Sequence, residues 1–392
     1  RDNYLQTQAL SLAEAQAAEI LPAHARCIQM LEKTGLLNRA VEYLPDDAEI
    51  ADRQKLGKGL TRPELAVLLS YAKIWLYQKI LDSSLPDDAA LHDDITDYFP
   101  KAVREKYAGD IAKHRLRREI AATVVANDMV NRAGMQIILT VAAHPSADAV
   151  ARAYLLAREA FGLPDLWAKI ETLDNKIPAA AQTRMDLTVC AALAAAIERF
   201  VADKAALGDL KQSIAIQRKG QAALRDWLSR HGDKVNGPVA ALRAALRDQG
   251  VPEELARRAA YLPALTDALD LTALAAKTRT GIADLAGLFF GLAKRFDIGW
   301  LRHLQSPAPQ TAWQCEAVSR ATDELMAHHR RLIAQFAAKQ GGKKKLTIEA
   351  WAARNGSALD AYDALLAEGR AAGGADLALL LLANERLAAL SV

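Results

Sequence analysis

Apolar residues along this chain recur at spacings of three and four, the period of helices that bury one face. The clearest case runs from Gly59 to Asp82. Leu65, Leu69, Ala72, Leu76 and Ile80 form one stripe, and Leu68, Tyr71 and Trp75 widen it, which predicts a helix over about 61–82 with neighbours on several sides. Its start carries its own signals: Thr61 and Glu64 stand three apart as a capping box, Leu60 and Leu65 can staple over it, and Pro63 falls in the first turn, where a missing amide costs nothing. The same period predicts a helix from Leu10 to about Lys33 stopped by Gly35, and one from Asp110 to Gly134 with Leu116, Ile120, Val124, Asn127 and Asn131 on one face. Further helices are expected from Pro145-Ser146 to Phe161, from Pro164, over 179–206 and 210–231, after Pro238, Pro252 and Pro263, over 282–296, over 311–340 and over 377–390. The stripe in the 311–340 segment is Val318, Ala321, Leu325, His329, Leu332 and Phe336. The short apolar run Ile137–Val141 lacks alternation and a pairing partner, so it reads as coil or helix rather than strand.

The expectation is an all-α fold, an array of antiparallel helices around a central buried helix, with no substantial sheet. It divides into 1–175, 176–340 and a 341–392 tail opened by the linker Gly341-Gly342-Lys343-Lys344-Lys345; the three can pack as one continuous domain.

Composition narrows this little. The chain has 392 residues, 51% hydrophobic and 25% charged, with a formal net charge of +3, ordinary values for a folded chain with a sizeable core and too balanced for a nucleic-acid footprint. Three distant cysteines, Cys27, Cys190 and Cys315, suggest neither a disulfide framework nor a zinc site and fit a reduced cytoplasm. The absence of a spanning apolar run and of a signal-peptide pattern predicts a soluble chain, and a start at Arg1 rather than Met predicts an internal piece of a longer protein.

Catalytic motifs are missing from the pattern. Gly57-Lys58-Gly59 has Arg62 at the third glycine place and no strand before it; there is no phosphate loop, no His-Glu-x-x-His and no Gly-x-Ser-x-Gly. His328 and His329 point in different directions on a helix, and His329, on the apolar stripe, reads as a hydrogen-bonded core or interface residue rather than a metal ligand. The densest polar cluster is Lys113-His114-Arg115-Leu116-Arg117-Arg118-Glu119. Arg115, Arg117 and Arg118 could collect an anion or an acidic neighbouring domain, against the plainer reading that Arg115 pairs with Glu119 and the rest are solvated. Asn127 and Asn131 could hold a ligand amide or carboxylate, or bond to a neighbouring helix.

Several blocks together resemble a known family: Gly59-Leu-Thr-Arg-Pro-Glu-Leu-Ala-Val-Leu-Leu69, Tyr98-Phe-Pro100, Leu116-Arg-Arg-Glu-Ile120, Ala126-Asn127 and Val130-Asn-Arg132 before Gly134, with weaker echoes at Asn3–Ala9, Leu173–Asn175, Val251–Leu255 and Trp300–Arg302. These are similar to the C-terminal helical region of the large bacterial NAD-dependent glutamate dehydrogenases. The resemblance implies a parent enzyme that oxidises L-glutamate to 2-oxoglutarate and ammonia with NAD, and a helical region that follows its dehydrogenase domain. The family's catalytic lysine and aspartate and its nucleotide-binding turn have no matching positions here. The implied role is structural, oligomerising or regulatory, in contact with the catalytic domain of the same chain and with neighbouring subunits, with no cofactor, metal, membrane or nucleic acid bound by these residues themselves. In that setting Thr61, Arg62, Pro63, Glu64, Asn127 and Asn131 are structural motif residues. A free-standing helical scaffold for a partner protein is the alternative.

Overall fold

The computed structural model describes residues 2–235, 237–302, 311–339, 347–374 and 376–390. The described residues are helical throughout, joined by turns and three short 3-10 segments, and none of them forms a strand. Ile137–Val141 lies in the helix Ile137–Ala143. The Gly341–Lys345 linker lies outside the described residues. By contact the chain forms two compact units, Arg1–Lys219 with Leu242–Thr266, and Gly220–Ala241 with Asp267–Val392.

In the first unit the long predicted helix is Arg62–Leu81, with Leu65, Leu68, Leu69, Ala72, Trp75, Leu76 and Ile80 buried and Tyr71 turned outward to donate to Glu42 at 2.6 Å. Burying one of these leucines contributes roughly 1.5–3 kcal/mol. The helix packs on Asp2–Ala15, Ala17–Lys33, Arg117–Ala133, Ile137–Ala143 and Ala147–Ala160. Against Arg117–Ala133 the approach is made through small side chains, because Ala121, Ala122 and Ala126 share the buried face with Val125, Met129 and Val130.

The start of Arg62–Leu81 is built as its sequence says and then reinforced from a distance. Thr61 and Glu64 close the capping box, with the Thr61 amide donating to Glu64 Oε2 at 2.7 Å. Arg53 adds a two-pronged bond to the same carboxylate at 2.6 and 2.9 Å. Burial alone would push the Glu64 pKa up, but the bonds from Arg53 and Thr61 outweigh it and hold the carboxyl below its usual range. Glu64→Ala removes the carboxylate arm of the box and leaves Arg53 without that partner, so urea denaturation is expected to show a loss of about 1–3 kcal/mol, with Glu64→Gln losing less. Gly59 sits where a Cβ would lie 2.7 Å from the Ala17 carbonyl oxygen, so the loop presses on the chain where one helix ends and the next begins.

Three expectations are corrected. The Leu10–Lys33 helix is two, Asp2–Ala15 and Ala17–Lys33, broken at Gln16 beside that close approach of Gly59. The helix expected from Asp110 is interrupted: Ala108–Ala112 ends, and Arg117–Ala133 begins after a turn in which His114 Nδ1 accepts from the Leu116 amide at 3.1 Å, a local bond that competes with helix continuation. Pro263 starts no helix. It lies inside Glu253–Asp267, where buried Leu262, Ala264 and Leu265 hold the chain helical despite the bond a proline forfeits.

The second unit is organised around Ala312–Lys339, whose Ala321, Leu325, His329, Leu332 and Phe336 are buried as the stripe predicts, with Val318 only half-buried. Ile282–Arg295 and Leu377–Ala389 pack on it. Phe296, Trp351, Tyr362 and Phe336 form an aromatic cluster with edge-on ring contacts at 5.4 to 6.1 Å, and Tyr362 donates to the Phe296 carbonyl at 2.8 Å.

Candidate functional site

The polar residues singled out above fall at separate places in the first unit. Arg62 reaches back to the first helix, pairing with Glu14 and bonding to Ser11 Oγ and the Thr7 carbonyl at 3.4 Å each. Pro63 occupies the first turn. Arg117 and Arg118 turn inward onto the far end of the same helix: Arg118 donates to the carbonyls of Leu81 at 2.9 Å and Ser83 at 3.2 Å and pairs with Asp87, and Arg117 donates to the Pro86 carbonyl at 3.3 Å. Cations at a helix C-terminus satisfy carbonyls that have no intrahelical donor. Arg115 and Leu116 lie in the turn before the helix and are exposed, so the one-turn spacing that would pair Arg115 with Glu119 does not apply. The face expected for Asn127 and Asn131 is rotated: Ile120 remains buried, Val124 and Asn127 are half-buried, and Asn131 is buried with Oδ1 unpartnered.

Beside Asn131 lies the more chemically unusual group, which the sequence reading did not assemble. Arg132 is buried, bonds to Glu171 at 2.6 Å and stacks on Trp167 with its guanidinium carbon 4.5 Å from the ring centre. Its carbonyl accepts from the Cys190 thiol at 3.1 Å. Asp174, in the turn after Leu163–Glu171, accepts from Tyr4 at 2.5 Å and from Gln182 at 2.6 Å, tying the first helix to that turn and to Ala179–Ala202. Asp186 faces this group. Burial raises its pKa to about 7, an effect that Arg132 partly offsets and Glu171 and Asp174 increase. Burial likewise pushes the Cys190 thiol up to about 12, which makes it a poor nucleophile at neutral pH.

The Asp186 shift has a definite sign. Its folded pKa exceeds the ordinary 3.8, so the folded chain binds the extra proton between about pH 4 and 7, and stability falls as pH rises through that window. Asp186→Asn is expected to flatten that fall and to stabilise the protein at pH 8 by about 1–3 kcal/mol in urea titrations at several pH values.

A second ionic cluster surrounds Arg158, buried on Ala147–Ala160. It donates to Asp94 at 2.8 Å, Asp128 at 3.1 Å and Glu159 at 2.9 Å, and Tyr154 donates to Asp128 at 2.8 Å. Neighbouring Arg152 joins Asp88 and Asp148 at 2.6 and 2.7 Å. These pairs link four stretches of the first unit; carboxylates outnumber the two guanidiniums, and burial together with the nearby Asp128 and Glu159 raises the Asp94 pKa against the pull of Arg158. In the second unit, a cavity of about 340 Å³ is walled by Leu271, Leu274, Phe289 and Ile333; of its charged residues, Arg330 and Asp270 pair at 3.5 Å and Arg331 donates to the carbonyls of Leu387, Ala388 and Leu390. His329 is buried with Nε2 bonded to the Phe289 carbonyl at 2.9 Å, as its place on the apolar stripe implied, and burial lowers its pKa to about 4. Among the described residues no group of three His, Cys, Asp or Glu could hold a metal ion, and no helix is long and apolar enough to cross a membrane.

The profile of the family described as "Glutamate dehydrogenase, C-terminal" matches residues 57–389. The chain belongs to that family. The glutamate dehydrogenase C-terminal match thus covers both units, from the loop before the Thr61 cap to the last helix. Three curated relatives carry the name NAD-specific glutamate dehydrogenase. That of Pseudomonas aeruginosa is 34% identical over 98% of the chain, that of Halomonas elongata 33% over 88%, and that of Mycobacterium tuberculosis 30% over 98%. The chain spans about a quarter of the length of these relatives, 22 to 24%. The family resemblance read from the motif blocks is therefore correct, and the relatives are oxidoreductases specific for NAD.

Proposed function

We propose that these residues form the C-terminal helical domain of a large NAD-dependent glutamate dehydrogenase, cytoplasmic and homo-oligomeric, whose hydride transfer takes place elsewhere in the polypeptide. The parent converts L-glutamate and NAD to 2-oxoglutarate, ammonia and NADH, and this domain braces the catalytic part and contributes to subunit assembly or its regulation. The single observation that carries the reading is the family match over 57–389 together with relatives about four times as long. The described side chains support a bracing role. Arg53, Arg62, Arg117, Arg118, Arg132 and Arg158 each hold a carboxylate or carbonyl of another segment, which fixes helices in place rather than activating a substrate. On this reading NAD binds the catalytic part and this domain binds no cofactor.

The purified 392-residue chain, mixed with L-glutamate and NAD at neutral to alkaline pH, is expected to give no NADH absorbance above the blank, whereas the full-length enzyme turns over. Measurable turnover by the chain alone would overturn the proposal.

A further inference from the structure

Two stretches of the first unit, 36–56 and 98–116, show several large apolar residues to solvent, and 98–116 is the one of the two with an excess of cations. Tyr98, Val103, Tyr107 and Leu116 are large apolar residues between 37% and 54% exposed within nineteen positions. The same segment carries five cations, Lys101, Arg104, Lys106, Lys113 and Arg115, against two carboxylates, Glu105 and Asp110. Of the cations, Arg104 pairs with Asp97, Lys101 pairs with Glu105 at 3.7 Å and Lys106 lies 5.1 Å from the Tyr107 ring centre; Lys101, Lys106, Lys113 and Arg115 are exposed. Exposed apolar residues rimmed by charge are the composition of a protein-binding face rather than of a solvated one.

The segment is held in shape from beneath. Ile95 and Ile111 are buried under it, Phe99 contacts both Tyr98 and His114 with ring centres 5.4 and 5.6 Å away, and His114 fixes the Leu116 amide. Arg117 and Arg118 then anchor the next residues to the end of the Arg62–Leu81 helix. The outward side chains are thus presented on a fixed base, which lowers the ordering cost of docking.

We infer that the face formed by Tyr98, Val103, Tyr107 and Leu116, with Lys101, Lys106, Lys113 and Arg115 around it, docks against an acidic surface of the preceding catalytic part of the same polypeptide. The inference rests on the proposed function and names the contact through which the domain braces the enzyme. The relatives' length favours this occupant: about three quarters of such a polypeptide lies outside the region matched here, and a covalently linked partner acts at an effective concentration on the order of millimolar. The excess of cations selects a carboxylate-bearing surface over a neutral one and discourages pairing with an identical cationic face of a second copy.

The test is zero-length carbodiimide coupling of the full-length enzyme followed by peptide mapping, with mixed isotope-labelled subunits to separate links within a polypeptide from links between copies. The expected result is amide links from Lys101, Lys106 or Lys113 to Asp or Glu of the catalytic part, with slowed acetylation of these lysines. Lys113→Glu combined with Arg115→Glu, both exposed positions, is expected to speed acetylation of Lys101 and Lys106 several-fold at unchanged helical content. Links from these lysines only within this region or only to a second copy, or acetylation at the rate of free lysine, would overturn the inference. If other lysines of the domain link to a dinucleotide-binding part while these three do not, the proposed function stands and this docking face falls. A parent that contains no such part removes both.

Discussion

Replacing Arg158 by methionine is expected to lower the stability of the protein by about 3–5 kcal/mol in urea denaturation. The guanidinium is buried and answers three carboxylates, Asp94, Asp128 and Glu159, that approach from different stretches of the first unit. Methionine keeps much of the side chain's length and its packing but none of its donors, so the loss reports uncompensated buried charge rather than a cavity. Burial already raises the Asp94 pKa against the pull of Arg158, and without that partner Asp94 should bind a proton still more readily. The deficit in Arg158→Met should therefore shrink as pH falls from 7 towards 5. A deficit that does not change with pH would point to packing instead.

Trp351→Ala is expected to cost a similar amount, about 3–5 kcal/mol, through the second unit. Trp351 is 2% exposed and meets Phe296 and Phe336 edge-on at 6.1 and 5.5 Å. It sits on the seven-residue helix Ile348–Arg354, too short to persist without tertiary packing. Hydrogen exchange should therefore rise first at 348–354 and in the adjoining Gly356–Ala371 helix, whose Tyr362 shares the cluster through Phe296. Trp351→Phe, which refills part of the space, should recover a portion of the loss.

How far the sequence could be read follows the range of the interactions. The Thr61–Glu64 box was legible because its partners are three residues apart, and the ends at Gly35 and Gly134 were legible because both glycines have positive φ at the places where helices stop. The burial of Ala321, Leu325, His329, Leu332 and Phe336 followed from spacing alone. The bonds from Arg53 to Glu64 and from Arg118 to Leu81 depend on which helices meet, and periodicity carries no such information. The break at Gln16 has no composition signal of its own; it coincides with the approach of Gly59, more than forty positions away. The face containing Asn127 and Asn131 was misplaced because Ala121, Ala122 and Ala126 contribute little to a hydrophobic stripe yet make up much of the buried surface. The Arg132–Asp186 group was missed for the same reason of range, although an acidic residue between buried Met185 and Val189 on a long Ala-rich helix was a usable signal.

The central claim, that this region braces a glutamate dehydrogenase whose chemistry lies elsewhere, is tested most directly by comparing the full-length enzyme with a version lacking these 392 residues. Mass in solution and NAD-dependent glutamate oxidation would be measured on the same samples. The shortened enzyme is expected to keep its dinucleotide-binding part but to assemble fewer subunits, judged from its solution mass against that of the shortened subunit, or to lose most of its turnover. A shortened enzyme with an unchanged number of subunits, unchanged turnover and unchanged thermal stability would contradict it.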